Sequence, residues 1–209
     1  MKKQSKNSEK HKKLKLLAAG DFHGDKKVAE RLAKRALKEH VDLVVLTGDM
    51  FGLTRTEDII KPFIKNKQKV VFVPGNWETT PDSKELEKKY KIKNIENHYL
   101  KYKGIGIFGL GSADWALYPD DERSFKHLKS ENEKIKNLEK KIMVSHIHAA
   151  GTKSELSGIP GSEGIRKAID KLQPDLFISG HIHELEGAEE KIGKTKVINI
   201  GKKGKIIEI

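Results

Sequence analysis

The chain has 209 residues, 36% hydrophobic and 34% charged, with a formal net charge of +12 and no cysteine. That length supports one domain or two very small ones, and the missing cysteine excludes a disulfide scaffold, thiolate zinc sites and a cysteine nucleophile. No apolar run approaches the ~18–20 residues of a membrane span, and the block Leu16 to Ala19 falls short of the ~7–15 residues of a signal-peptide core, so a cytoplasmic protein with no membrane partner is expected.

In chain order, residues 1–15 carry seven lysines and one glutamate, half of the net excess. Residues 1–11 read as a solvated basic arm ahead of one domain over residues 12–209. Such an arm solubilises the chain or attracts nucleic acid. Only five of the 42 basic residues are arginine, and lysine grips phosphate and guanine less specifically, so nucleic acid is not the favoured partner. Leu14–Ala19 reads as a buried strand. Lys26–His40 reads as a helix, because Val28, Ala29, Leu32, Ala33, Ala36 and Leu37 share one face and Asp25 can cap it. Val41–Leu46 is the next strand, and Thr56–Asn66 a weaker helix interrupted by Pro62. Lys69–Val73 is a third strand, followed by a helix over Ser83–Tyr90. Ile105–Leu110 and Lys141–Ser145 read as strands flanking a charged helical stretch, Asp120–Lys140. Gly164–Leu172 is a helix and Asp175–Ser179 a strand; the remainder reads as short strands joined at Gly187, Gly193 and Gly201–Gly204. The pattern gives a layered α/β protein with a mixed sheet or two packed sheets. Gly104, Gly106 and Gly109 match a dinucleotide fingerprint but lie inside an apolar strand rather than opening a helix, so they read as strand packing.

Each apolar strand ends on polar donors: Asp21 and His23, then Asp49, then Asn76, then His146 and His148, then His181 and His183. Ligands bind at the carboxyl edge of α/β sheets. Two aspartates, one asparagine and at least four histidines exceed the needs of one ion and suit two adjacent divalent ions sharing a carboxylate. Nitrogen and oxygen donors without thiolate fit manganese, iron, zinc or cobalt.

The ordered series Asp21-x-His23, Gly48-Asp49, Gly75-Asn76, His146 and Gly180-His181-x-His183 resembles the calcineurin-like metallophosphoesterases, from about Leu14 to the end of the chain, and most of all their small bacterial and archaeal phosphodiesterases. The resemblance implies a four-layer αββα sandwich of two mixed sheets flanked by helices. It places Asp21, His23 and His183 on one metal and Asn76, His146 and His181 on the other, with Asp49 bridging. It implies two divalent transition-metal ions, manganese first, with iron, zinc, nickel or cobalt as alternatives. The implied reaction is hydrolysis of a small phosphate ester, a nucleotide or other phosphodiester, by a metal-bridging hydroxide, with Asn76 and His146 at the reacting centre. A phosphomonoesterase is the alternative, and a non-catalytic scaffold on the same fold the alternative of another class.

Two departures stand out. The family commonly places a proton-donating histidine after the asparagine; this chain has Trp77, whose indole N–H is a hydrogen-bond donor but no usable acid near neutral pH. Where a proline is common after His146, this chain has His148, an imidazole in the range for proton transfer. Trp77 is also a candidate stacking surface for substrate, Arg55 and Lys153 are candidate phosphate contacts, and Glu78 is expected to support the ligands.

Overall fold

The computed structural model describes residues 13–53, 55–114 and 120–209. The basic arm over residues 1–11 lies outside the described residues. The first sheet holds β1 (Lys15–Ala19), β2 (Leu43–Leu46), β3 (Val70–Phe72), β4 (Lys93–Asn94) and the chain's last strand, β11 (Lys205–Glu208), in the order β11-β1-β2-β3-β4. β1 to β4 run parallel, and β11 closes the edge antiparallel to β1. The second sheet holds β5 (Tyr99–Tyr102), β6 (Ile105–Leu110), β7 (Lys140–Ser145), β8 (Leu176–Ser179), β9 (Glu189–Ile192) and β10 (Thr195–Asn199), in the order β5-β6-β7-β8-β10-β9. Its four inner strands are parallel and its two edges antiparallel.

Alternation along the strands explains why the sheets stack. Leu16, Ala18, Leu43, Val45 and Val71 face Ile107, Ile142, Val144 and Ile178 in one buried layer between the sheets. The intervening Leu17, Ala19, Val44, Leu46 and Phe72 pack outward on α1 (Lys26–Lys38) and Phe63 of α2 (Lys61–Lys65). On the far side, Phe108, Met143 and Phe177 meet Leu128 of α4 (Asp121–Lys134) and Ile165, Ala168 and Ile169 of α5 (Glu163–Leu172). This is the expected four-layer arrangement of two mixed sheets flanked by helices. Among the described residues no helix is long and apolar enough to cross a membrane.

Local chemistry moved several boundaries. Asp25 caps α1 as expected, accepting from the Lys27 and Val28 amides, but Leu37 is exposed at the end of that helix. Pro62 sits in the first turn of α2, where it starts the helix rather than breaking it; the helix therefore lacks residues 56–60. α3 (Thr80–Tyr90) begins three residues before Ser83, because Thr79 and Asp82 form a reciprocal capping box with Pro81 in the first turn. The strands β4 and β5 were not expected. β5 pairs with β6 through a hairpin whose two turn residues, Lys103 and Gly104, both have positive φ. Gly106 and Gly109 lie in β6, where a Cβ would press on Ile135 and Val73, so they serve packing.

Candidate metal centre

The loops that leave β1, β2, β3, β7 and β8 meet at one edge, and backbone bonds stack them. The Asp21 amide donates to Gly48 O and the His23 amide to Asp49 O, while Gly180 N donates to His146 O. Asp21, His23, Asp49 and His181 all have positive φ, from 46° to 73°. The left-handed region costs ordinary residues ~1–2 kcal/mol each, and Asp and His are among those that enter it most readily. The strained turns aim these side chains across the edge. Gly75 is required beside them, since a Cβ there would lie 2.1 Å from Asp49 Oδ1.

Two groups of donors result: Asp21, His23 and His183, and Asp49, His146 and His181. Asn76 joins the second, its Oδ1 lying 3.0 Å from His146 Nε2. Asp49 stands between them, with Oδ2 3.8 Å from His23 Nε2 and 3.4 Å from His146 Nε2. The seven candidate ligands are thus brought together at one edge, with Asp49 between the two groups.

The donor set fits cations. His146 Nδ1 donates to Thr47 O at 2.8 Å, which turns Nε2 inward as a lone pair. That lone pair faces the oxygens of Asn76 and Asp49, an arrangement stable only with a proton or a cation between them. His23 Nε2 and His183 Nε2 face one another at 3.0 Å, and Asp21 Oδ2 is buried without a hydrogen-bond partner. Protons fill this role in the metal-free cluster. Burial pushes the Asp21 carboxyl up to about 7. Burial also opposes a charged His146, but Asp49 and Asp21 outweigh it and lift the imidazole to about 9. Burial and the His146 charge push His181 down to about 4. Deprotonated ligands bind metal, so cations would displace these protons.

Glu78 supports the set as expected. It is fully buried, with Oε2 accepting from the Asp49 and Gly75 amides at 2.9 and 2.7 Å and Oε1 from the Phe51 amide at 2.9 Å. It locks the Asp49 loop to the Asn76 loop. Trp77 donates its amide to Asp49 Oδ1 at 3.0 Å and sets its ring edge-on to His23, centroids 5.8 Å apart. His148 is buried, donates from Nε2 to Ile159 O at 3.1 Å and stacks on His181 at 6.4 Å; its Nδ1 has no partner. Arg55 and Lys153 are not brought into the set. Arg55 is paired with Asp82 and Glu85 and lies over Phe51, and the Lys153 ammonium donates to Glu189 O at 2.9 Å. Either could reach a phosphate only by breaking those contacts. Sequence reasoning missed Lys202. The turn joining β10 to β11 bonds to the first loop through Gly20 N and Gly201 O at 3.3 Å, and the exposed Lys202 contributes positive charge at His23. No spacing rule in the sequence links that turn to the site.

The sequence model of the calcineurin-like phosphoesterase family matches residues 14–185. Comparison with curated proteins finds no match. Among solved structures, a Thermus thermophilus protein is similar with a TM-score of 0.73 at 16% identity, over 94% of this chain and 99% of that one. A dimetal phosphatase from Danio rerio is similar with a TM-score of 0.63 at 13% identity, over 90% of this chain and 88% of that one. An archaeal phosphodiesterase is similar with a TM-score of 0.52 at 15% identity, over 93% of this chain and 99% of that one. At these identities the structures speak for the fold alone. The family match over most of the chain, with both donor groups in place, establishes that this chain belongs to the calcineurin-like phosphoesterases and is a metal-dependent phosphoric ester hydrolase.

Proposed function

We propose that the chain is a dinuclear phosphodiesterase acting on a small nucleotide or other phosphodiester, with manganese as the first candidate metal and the cytoplasm as its location. The observation that carries the dinuclear reading is the position of Asp49 Oδ2 within 4 Å of imidazole nitrogens from both groups. Two bound divalent cations would neutralise phosphoryl oxygens and supply a nucleophilic water near neutral pH. The chain's own part is to fix the donors. Thr47 O sets the His146 tautomer, and Glu78 and the Trp77 amide hold Asp49. The diester reading rests on the leaving group. Trp77 occupies the place of the usual acid and cannot protonate a departing alkoxide. His148 is the remaining candidate donor, but its Nδ1 is buried; with Nε2–H given to Ile159 O, Nδ1 carries a proton only when the imidazole is charged, and burial holds the imidazole below the ordinary range.

A hydrolysis screen with manganese, cobalt, nickel, zinc and magnesium tests the proposal, using activated mono- and diesters and then cyclic and linear nucleotides. The expected result is metal-dependent cleavage of diesters and about two metals per chain. Faster turnover of monoesters would replace the diester reading. Purification and reconstitution without near-stoichiometric metal would favour a scaffold.

A further inference from the structure

The two cations that the sequence offers near the ligand loops are already engaged, Arg55 with Asp82 and Glu85 and the Lys153 ammonium with Glu189 O. Lys202 differs from both. It is exposed, in the turn joining β10 to β11, and its ammonium makes no ion pair or hydrogen bond among the described residues.

Both loops of the Asp21, His23 and His183 group hold this turn. Gly201 O accepts from Gly20 N at 3.3 Å, one residue before Asp21. Asn199 Nδ2 donates to Ile182 O at 2.6 Å, between His181 and His183. Glu186, whose amide donates to His183 O at 3.2 Å, accepts the Lys203 amide on Oε1 at 2.6 Å. From the other side α1 braces the turn. Arg31 donates to Lys202 O and Lys203 O, and Arg35 to Lys203 O and Gly204 O. Gly204, with a φ of 65°, closes the turn by donating to Gly201 O at 3.2 Å. The backbone of Lys202 is therefore fixed beside two ligand loops, and its charge acts on the His23 ring. Only its side chain remains to be ordered on binding, which lowers the cost of engaging a ligand.

We infer that Lys202 is a specificity residue that takes a second phosphate on the substrate, beyond the phosphodiester that is cleaved. This rests on the phosphodiester reading and narrows it. Charge balance favours a second anion over the reacting one. Two divalent cations held by the carboxylates of Asp21 and Asp49 leave ample positive charge for the single negative charge of a diester. A further cation fixed beside them serves a further anion, and lysine binds phosphate as a point charge. Glu186 does not cancel it. Its carboxylate is directed to the Lys203 amide rather than to the Lys202 ammonium, and Arg31 and Arg35 on the same turn outweigh its charge.

The test compares propyl p-nitrophenyl phosphate with the same diester carrying a terminal phosphate on its propyl chain. The leaving group and the scissile bond are shared, and the flexible tether lets the second phosphate find its place. An exposed ion pair is worth about fivefold at its upper end, so KM should be about fivefold lower for the phosphorylated ester. The ratio of the two KM values should approach one in Lys202→Gln and be kept in Lys202→Arg. It should also shrink at high salt, because exposed charges are screened. Lys203→Gln removes the same charge from the same turn and should leave most of the ratio in place. Calorimetry in the presence of manganese repeats the comparison without turnover, using propyl methylphosphonate and its terminally phosphorylated counterpart. If neither ester is cleaved, the phosphodiester reading fails by itself, and the calorimetric ratio still decides the role of Lys202. A ratio near one in the wild type, or one unchanged in Lys202→Gln, overturns the inference. A KM raised equally for both esters in Lys202→Gln would put the lysine on the reacting phosphate, and equal loss of the ratio in Lys202→Gln and Lys203→Gln would mean a diffuse field; either overturns it.

Discussion

The two donor groups share a carboxylate but not an environment. In the Asp49 group, the His146 side chain is fully buried and Asp49 nearly so. In the Asp21 group, His183 is 52% exposed and His23 is half-buried. The buried group is rooted in the fold. His146 leaves β7 of the second sheet and bonds Thr47 O at the end of β2 and Asn76 after β3, so its imidazole ties the two sheets together. In the second group Asp21 is itself buried, but its two histidines are partly open to solvent and contact mainly one another and Trp77. The difference separates roles that the sequence presents as equivalent. One group is a keystone of the fold and also a candidate ligand set; the other presents its histidines to solvent.

The most severe way to break this arrangement is to remove the charge that both groups share. Asp49→Asn keeps the shape of the side chain and its acceptor for the Trp77 amide but deletes the negative charge. Changes in mere supporting residues cost ~10–100-fold in metal affinity, so losing the shared ligand should exceed about 100-fold and abolish nearly all hydrolysis. Metal content after gel filtration and the steady-state rate measure both effects. Retention of two metals at near-normal rate would refute the shared role.

A finer break compares His146→Ala with His183→Ala. Each should drop occupancy to about one metal per chain. They should differ in stability. His146→Ala leaves Thr47 O without its buried donor, and an unsatisfied buried group costs ~1–3 kcal/mol. His183→Ala removes an exposed side chain, for which about ±0.5 kcal/mol is the general expectation. Thermal unfolding of the metal-free proteins separates them. Equal stability losses would show that burial does not distinguish the groups.

That asymmetry marks how far the sequence could be read. The convergence of the seven candidate donors was legible, because short apolar runs each end on a donor and strand ends converge in this kind of fold. The four layers followed from the same runs, since Leu16 and Ala18 alternate with Leu17 and Ala19 toward opposite sheet faces. Burial of individual ligands was not legible. It depends on the stacking of loops from different strands, as when the His23 amide bonds Asp49 O, and on positive φ at Asp21, His23, Asp49 and His181, where the sequence has no glycine to signal it. β4 and β5 escaped because Lys93–Asn94 is two residues long and Tyr99–Tyr102 is an edge strand without a buried face. The pairing of Arg55 was not legible for a related reason: its partners Asp82 and Glu85 lie on α3, about thirty residues away.

The proton donor can be located by the same comparison, with smaller effects. Trp77 touches the exposed group through His23 and His148 the buried group through His181. One missing general acid is worth ~10²–10⁴ in rate. Aryl leaving groups depart as anions and need it least. A wild type without a working acid should therefore show a steep dependence of rate on leaving-group acidity, and Trp77→His should flatten it by speeding alkyl esters up to about 100-fold. If His148 already donates from the buried side, the wild type should be shallow and His148→Ala should steepen it. A shallow dependence in the wild type and both variants would clear both positions of this role.

The smallest effect concerns the support beneath the bridge. Glu78 accepts three backbone amides, two from the Asp49 loop and one from Gly75. Burial and the Asp49 charge push its carboxyl up to about 7, which is the consequence of packing two acids under one cluster. Glu78→Gln keeps the volume but replaces one acceptor oxygen by an N–H donor, which then points at an amide. Either the Phe51 amide or the shared Asp49 and Gly75 pair loses its acceptor. The Asp49 carboxylate should then be held less firmly, with a ~10-fold loss of metal affinity, at the low end for a supporting partner. Because Asp49 belongs to the buried group and only leans toward the exposed one, the loss should be greater for the metal bound by His146. Stepwise metal titration of Glu78→Gln combined with His183→Ala, and of Glu78→Gln combined with His146→Ala, reads each remaining site by itself. A larger loss in the first double variant supports the keystone role. Equal losses would mean that Glu78 holds Asp49 for both groups alike, and the asymmetry would then lie in solvent exposure alone.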